Sequence, residues 1–224
     1  IVISEASSNL VVAGVDVAYQ DAGCPTWGVG CAVAWSIQTE TELSATPAAR
    51  KLSIAYSAGT VSFPYIPGLL GFREAWLMVE AILALPSRPD LVMCDGHGYA
   101  HPRRFGEAVH VGVVLDLPSM GVAKTPFFGE GDWKDLSRIK RAKVGLYDRG
   151  RSPAGGEVGE LVGYAACLAD GTKPVFVSAG YQATLDSAFN IACLTTLTHR
   201  QPEPLNLADR YARAEIASQL SSGR

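Results

Sequence analysis

The residues best suited to chemistry lie in one short segment, Asp95-Gly-His-Gly-Tyr-Ala-His101. It follows four apolar residues, Leu91–Cys94, which predict a short buried strand. Open α/β sheets bind ligands at the carboxyl ends of their strands, where this order puts Asp95. The histidines add titratable groups, and Gly96 and Gly98 allow a backbone or ligand to approach closely. Two roles are open for Asp95: a turn or cap residue, and a functional carboxylate.

Two more carboxylates occupy positions that invite explanation. Asp16 interrupts the otherwise apolar run from Val11 to Tyr19, which predicts a buried strand. A buried carboxylate is costly without a partner, so Asp16 requires a cation, a metal ion or hydrogen-bond donors. Glu74 borders the apolar face of a predicted helix from Leu69 to about Leu85. A favourable interaction with the helix dipole is the alternative role for this glutamate.

If the strand before Asp95 pairs beside the strand of Asp16, these carboxylates and Glu74 converge. They would repel one another unless a divalent cation bound between them, and oxygen ligands suit Mg²⁺ or Mn²⁺ better than Zn²⁺. Such a cation promotes phosphodiester hydrolysis by activating water and neutralising charge on the phosphate. Lys124, after a predicted strand, would add positive charge, and His101 would orient the water or shuttle a proton. The residues therefore favour a metal-dependent nuclease.

The predicted elements that position these residues are those of an α/β domain. Three strands predict an antiparallel meander, and a helix, a parallel strand and a second helix with Pro102 at its first position follow. The later pattern predicts four more strands and two more helices. The predicted strands cover residues 11–19, 28–37, 52–57, 91–94, 119–123, 144–147, 161–167 and 175–178, and the later helices 185–198 and 207–220. We expect one domain over residues 1–224.

Composition limits the class of protein. The chain is 48% hydrophobic and 18% charged, as in globular proteins, and no apolar run is long enough to cross a bilayer. Without a visible signal peptide, and with five scattered cysteines that predict reduced thiols, we expect a cytoplasmic protein with no membrane partner. The first residue, Ile1, is compatible with the absence of a native N-terminal segment. Nothing in the sequence suggests a subunit interface, so we expect a monomer.

Charge and loop composition point to a nucleic-acid partner. The net charge is −3, but Arg103 to Arg151 holds ten Lys and Arg against six Asp and Glu. Its densest part, Lys134 to Lys143, suits a phosphate backbone, with a solvated surface as the alternative. The proline-bracketed loop Pro64-Tyr-Ile-Pro-Gly68 is rigid with an apolar tip, which can pack on the core or wedge between bases.

Five blocks in order along most of the chain resemble the motifs of the endonuclease V family. They are Val15-Asp-Val-Ala-Tyr19, Tyr65-Ile-Pro-Gly-Leu-Leu-Gly-Phe-Arg-Glu74, Asp95-Gly-His-Gly-Tyr-Ala-His-Pro-Arg103, Gly121-Val-Ala-Lys124 and Pro202-Glu-Pro204. The resemblance implies a ribonuclease-H-like mixed sheet, an antiparallel meander plus parallel strands, flanked by helices. It also implies an endonuclease that recognises inosine in DNA, or in RNA, and cuts the second phosphodiester bond on its 3′ side.

The motif match implies a role for each residue. The metal ligands would be Asp16, Glu74 and Asp95, with His101 and Lys124 as further catalytic residues. A wedge at the lesion and a pocket for the flipped hypoxanthine complete the site. The wedge would comprise Pro64, Tyr65, Ile66 and Pro67, and the pocket Gly68, Leu70, Gly96 and Gly106.

One departure affects the expected activity. The family has a Gly-His pair at its active site where this chain has Gly180-Tyr181. A tyrosine is neutral at pH 7 and a poor metal ligand, so one catalytic contribution is in doubt. Tyr181 therefore motivates one alternative, a lesion-binding protein that cuts slowly or not at all. A separate alternative is a nuclease of the same fold that reads branches or mismatches rather than inosine.

Overall fold

The computed structural model describes residues 9–38, 50–151 and 159–222, which form one eight-stranded sheet flanked by helices. The strand order across the sheet is β3-β2-β1-β4-β5-β8-β7-β6. The strands are β1 (Asn9–Tyr19), β2 (Thr26–Gln38), β3 (Arg50–Val61), β4 (Leu91–Cys94), β5 (Ser119–Ala123), β6 (Lys143–Asp148), β7 (Glu160–Ala166) and β8 (Val175–Ala179). The helices are α1 (Leu70–Leu83), α2 (Glu107–Leu115), α3 (Leu185–Leu194) and α4 (Glu203–Ser222).

The first half of the chain forms the predicted meander and two parallel strand pairs. β1, β2 and β3 pair antiparallel, and β4 then pairs parallel to β1 and to β5. In this register Val15 lies beside Cys94, and Cys94 lies beside Gly121. The residues that follow β4 and β5 therefore leave the sheet at the same end, where the parallel strands β1, β4 and β5 have their carboxyl ends. We call this end of the sheet its carboxyl edge. These pairings confirm the expected mixed sheet.

The strands of the second half of the chain pair antiparallel. β8 pairs antiparallel to β5, and β7 and β6 continue antiparallel to the end of the sheet. The carboxyl end of β8 therefore lies at the edge opposite to Lys124.

The core consists of two layers, one on each face of the sheet. Alternating residues point to opposite faces because the side-chain period of a strand is two. On one face Val12 and Met93 pack with residues of α3 and α4. On the other face Val15 and Cys94 pack with residues of α1 and α2. The sheet therefore holds α1 and α2 on one face and α3 and α4 on the other.

Three predicted boundaries are wrong. Residues 101–104 form a turn in which Arg104 has φ 55°, so no helix begins at Pro102 and α2 begins at Glu107. α3 ends at Leu194, not at residue 198, and the hydroxyls of Thr195 and Thr196 donate to carbonyls of its last turn. α4 begins at Glu203, directly after a proline, rather than near residue 207.

In the described ranges no helix is both long and apolar enough to span a membrane.

Candidate active site

Asp16 and Asp95 are neighbours at the carboxyl edge of the sheet. The backbone N–H of Asp95 donates to the carbonyl of Val15 at 3.2 Å, which continues the β1–β4 pairing up to the two acids. Asp16 is only 8% exposed, and its Oδ1 accepts a hydrogen bond from the Val17 N–H at 2.8 Å. Burial, and then the charge of Asp95, raise the pKa of Asp16 well above its usual range. A cation between these carboxylates would relieve that cost.

Asp95 is held by a donor on each oxygen. Lys124, directly after β5, donates to Oδ2 at 2.5 Å, and Gln201 donates to Oδ1 at 3.0 Å. Burial alone would lower the pKa of Lys124, but the charge and hydrogen bond of Asp95, together with the charges of Asp16 and Asp209, raise the pKa overall. The lysine ammonium therefore lies against Oδ2 of the Asp95 carboxylate.

Glu74 enters the site from the first turns of α1. The Tyr19 hydroxyl donates to its Oε1 at 2.8 Å, and the Arg73 guanidinium stacks on the Tyr19 ring. Burial raises the pKa of Glu74, whereas its contacts with Glu107 and Tyr19 lower it. The predicted metal ligand thus lies in a buried, hydrogen-bonded position.

Glu107 is a buried carboxyl that the sequence analysis missed. Glu107 is 3% exposed. When Glu107 and Glu74 are both ionised, neither carboxylate oxygen of Glu107 has a hydrogen-bond partner among the described residues. Burial and the adjacent Glu74 raise its pKa well above the usual range, so a protonated Glu107 can donate to Glu74. Its Oε2 lies 2.3 Å from where a Cβ at Gly96 would be, so any larger residue there would displace the Glu107 carboxylate.

Another acid, Asp209, reaches the cleft from α4. Asp209 lines it together with Arg213, whose Nε donates to Asp209 Oδ1 at 2.7 Å. The Asp209 charge contributes to raising the pKa values of both Asp16 and Lys124. Sequence analysis overlooked Asp209, because a charged residue paired with an arginine four positions later is typical of any solvated helix.

The chemistry of these side chains fits a hard divalent cation. Six acidic residues among those that the structure describes line the cleft: Asp16, Asp21, Glu74, Asp95, Glu107 and Asp209. Their carboxylate oxygens are the ligands that Mg²⁺ and Mn²⁺ prefer. Within residues 9–38, 50–151 and 159–222, however, no three acidic, histidine or cysteine side chains are gathered closely enough to hold a metal ion. Asp95 is instead neutralised by Lys124, which stands where a cation would be needed. The metal site therefore stays a prediction with a suitable donor set.

His101 links the predicted catalytic residues to the wedge loop. Its Nε2 donates to the Gly68 carbonyl at 3.2 Å, and its Nδ1 accepts from the Arg103 N–H at 3.2 Å. Burial lowers the pKa of His101, which favours the neutral ring that this pattern requires. Both nitrogens are thus engaged, so the geometry shows a ring that fixes the loop, while its predicted proton transfer remains untested.

The predicted wedge and base pocket face a cleft of about 980 Å³. All four wedge residues are exposed; Tyr65 reaches 66% and Ile66 40%, and Tyr65 and Pro67 line the cleft. The cleft is also lined by all four predicted pocket residues, Gly68, Leu70, Gly96 and Gly106. Gly68 has φ +80°, and a Cβ at Gly106 would lie 2.3 Å from the His97 carbonyl. The structure thus brings the two sets of residues to one opening.

Tyr181 does not belong to this site. Its backbone pairs with Ser119 at the first residue of β5, and its hydroxyl donates to Asp116 Oδ1 at 3.1 Å. Lys124 follows the last residue of the same strand, so the length of β5, roughly 15 Å, separates the two. The prediction that Tyr181 occupies a catalytic position is therefore wrong, because β8 runs antiparallel to β5.

Part of the dense basic segment, Lys134 to Lys143, contacts α3 and the residues after it and lies outside the cleft, so its contact with a phosphate backbone stays a prediction. Lys140, Arg141 and Lys143 donate to the Thr196 carbonyl, Asn190 and Asp186, in and after α3. Among the described residues that line the cleft, none comes from positions 134–143. The cations of the cleft are Lys124, Arg73 and Arg213 instead.

Comparison with known proteins shows the family to which this chain belongs. The family model described as Endonuclease V matches residues 1–210. The chain belongs to the endonuclease V family. Endonuclease V of Streptomyces coelicolor is 41% identical over 205 residues, which cover 92% of this chain and 78% of that protein. Membership of this family makes the chain a nuclease.

Solved endonuclease V structures share the fold. The crystal structure from Streptomyces avermitilis matches with a TM-score of 0.76 at 38% identity, covering 94% of this chain and 82% of that chain. The structure from Ciona intestinalis matches with a TM-score of 0.71 at 24% identity, over 94% of this chain and 87% of that chain. The Ciona protein was solved with a 24mer DNA containing an inosine followed by a ribo-adenosine.

Proposed function

We propose that this endonuclease V hydrolyses inosine-containing DNA, and RNA as a second substrate, at the second phosphodiester bond 3′ to the lesion. The observation that carries the proposal is the adjacency of Asp16, Asp95 and Lys124 in a cleft bordered by an exposed, rigid loop. The Ciona relative bound to inosine-containing DNA supports the choice of base. We further propose that the protein acts as a monomer.

The carboxylates would hold Mg²⁺, with Mn²⁺ as a substitute, and Asp16, Glu74 and Asp95 are the proposed ligands. When bound, such an ion supplies an activated water and neutralises charge on the phosphate. Lys124 would place a positive charge at the scissile phosphate, because its ammonium already lies beside the carboxylates.

The loop and the glycine-lined part of the cleft would act on the base. Tyr65 and Ile66 have no packing role that would bury them, so they are free to enter a base stack at the lesion. Extrusion of a base costs least at a weakened pair, such as one that contains hypoxanthine. The backbone at Gly68 and Gly96 can then approach and read the base edge.

The decisive experiment compares cleavage of matched oligonucleotides that carry one inosine in DNA, one inosine in RNA, or none. The assay is run with Mg²⁺, with Mn²⁺ and with chelator, and the product ends are mapped. Asp95→Asn, which removes the charge but keeps the shape, should abolish cleavage in every condition. Cleavage by Asp95→Asn at the native rate would refute the mechanism, and cutting at another bond would refute the proposed position.

The same assay tests the two alternatives. Tight binding of inosine DNA without turnover would indicate a lesion-binding protein, although the reason to suspect one was Tyr181, which lies outside the cleft. Equal cleavage of inosine substrates and undamaged flaps would indicate a nuclease that reads branches. Size-exclusion chromatography with light scattering, with and without DNA, tests the monomer.

A further inference from the structure

Gln201 contacts Asp95 from a part of the chain 106 residues away. Its Nε2 donates to Asp95 Oδ1 at 3.0 Å, and the residue is only 7% exposed. It lies in the connection between α3 and α4, whereas Asp95 follows β4. A neutral amide donor satisfies one oxygen of the carboxylate and leaves its charge intact.

The connection that carries Gln201 is itself braced against the site. The guanidinium of Arg200 donates to the Lys124 carbonyl and, at 2.8 Å, to the Pro174 carbonyl. The Glu203 N–H donates to the Thr195 carbonyl at 2.8 Å, and this closes the connection on itself. The backbone of this connection is thus tied to the same Lys124 that pairs with Asp95. The position of the Gln201 amide is therefore set by the fold and not by solvent.

We propose that Gln201 is a positioning residue that fixes the rotation of the Asp95 carboxylate. With Oδ1 held by a neutral donor, Oδ2 is the oxygen presented to a cation, and in this structure Lys124 contacts it. This inference rests on the proposed function, because it assigns Asp95 to a divalent cation. Partners of metal ligands are commonly needed for affinity, since they orient the ligating oxygen.

The test compares Gln201→Met, which keeps the length of the side chain but removes the amide, with the native chain. Gln219→Met is the matched control, because Gln219 also donates to a carboxylate, Glu215 at 2.9 Å, but on the outer part of α4. Mn²⁺ affinity is measured on the DNA-free protein by electron paramagnetic resonance, and kcat and KM are measured on inosine DNA.

We expect Gln201→Met to weaken Mn²⁺ binding and to lower kcat, each by about 10- to 100-fold, with little change in KM. Gln219→Met should leave all three unchanged. Native Mn²⁺ affinity and kcat in a folded Gln201→Met variant would overturn the proposal and leave Gln201 with a role in stability alone. If Gln201→Met does not fold, Gln201→Asn serves, because its shorter side chain withdraws the amide from Asp95 while keeping it polar.

Failure of this inference can be told from failure of the proposed function. A native chain that binds Mn²⁺ but does not cut inosine DNA would contradict the function, and the comparison of Mn²⁺ affinities would still decide the role of Gln201. A native chain that cuts inosine DNA, with a Gln201→Met variant that matches it in affinity and rate, would contradict only the positioning role.

Discussion

Lys124 and Asp95 follow neighbouring parallel strands, and their side chains meet with Nζ 2.5 Å from Oδ2. Each residue follows the last residue of its strand, so the pair is set by the register of β4 and β5. The Lys124 side chain is 42% exposed and the Asp95 side chain 10%, so the lysine approaches from the open side of the cleft. A phosphate entering that cleft would meet the lysine first.

Lys124→Met should reduce cleavage of inosine DNA by about 100-fold or more, as removal of one charge-stabilising donor does in other enzymes. Mn²⁺ affinity should be preserved or increased, because the ammonium no longer competes for Asp95. Single-turnover cleavage and metal titration of the DNA-free protein measure the two effects. A loss of metal binding together with activity would contradict the assignment of Lys124 to the phosphate.

Tyr181→His should leave cleavage within about twofold of the native rate, because the residue lies at the opposite edge of the sheet from the cleft. Tyr181→Phe removes the hydrogen bond to Asp116 and should lower the free energy of unfolding by up to about 1 kcal/mol. Urea denaturation and the cleavage assay check both expectations. A large gain of activity in Tyr181→His would show that the edge assignment is wrong.

Tyr65→Ala tests the wedge, since Tyr65 is 66% exposed at the mouth of the cleft. Cleavage of an inosine in duplex DNA should fall more than cleavage of the same strand alone, because a single strand needs no separation. Leu83→Ala, at a residue that is 70% exposed on the last turn of α1, is the control for loss of an exposed apolar side chain. Equal losses on both substrates would argue against a wedge.

His97 should make the protein less stable in mild acid. Burial lowers its pKa to about 4 from 6.5, so between these values the folded chain binds fewer protons than the unfolded chain. Stability present above pH 6.5 is therefore lost as the pH falls toward 4, by up to roughly 3 kcal/mol. The raised pKa values of Asp16 and Glu74 act in the opposite direction, so His97→Asn is the necessary comparison. A stability-against-pH slope that is identical in His97→Asn would contradict this assignment.

Arg104→Met should lower the free energy of unfolding by about 3 to 5 kcal/mol, as loss of one member of a buried ion pair does. The guanidinium is only 10% exposed and joins Asp148, at 2.6 Å, and Glu160 to the His101 carbonyl, at 3.0 Å. Urea denaturation gives the change in stability. Arg103→Met, at the exposed neighbour, provides the control and should cost far less.

The sequence was sufficient for residues whose position depends on local pattern. Asp16, Asp95 and Lys124 lie in or after short apolar runs, and such runs identify buried strands without knowledge of the fold. Once these three strands are parallel neighbours, the acids and the lysine must share an edge. The prediction therefore needed only one assumption about pairing, and the register confirms it.

Residues placed by long-range packing were not predictable in this way. The apolar run of β8 identifies a strand but not its direction, and its direction decides on which edge Tyr181 lies. Asp209 and Gln201 belong to the end of the chain, where a polar residue on or before an amphipathic helix gives no sign of facing a cleft. Glu107 was hidden for another reason, since its burial follows from Gly96, which removes the side chain that would exclude it.

Gly14 allows β1 and the start of α4 to lie in contact beside the site. A Cβ there would lie 2.5 Å from the Pro204 backbone carbon, so α4 begins in direct contact with β1, two residues before Asp16. A residue larger than glycine at position 14 would push the start of α4 away from β1. It would thereby move Gln201, which contacts Asp95 from the connection before α4, and Asp209, which α4 brings to the cleft.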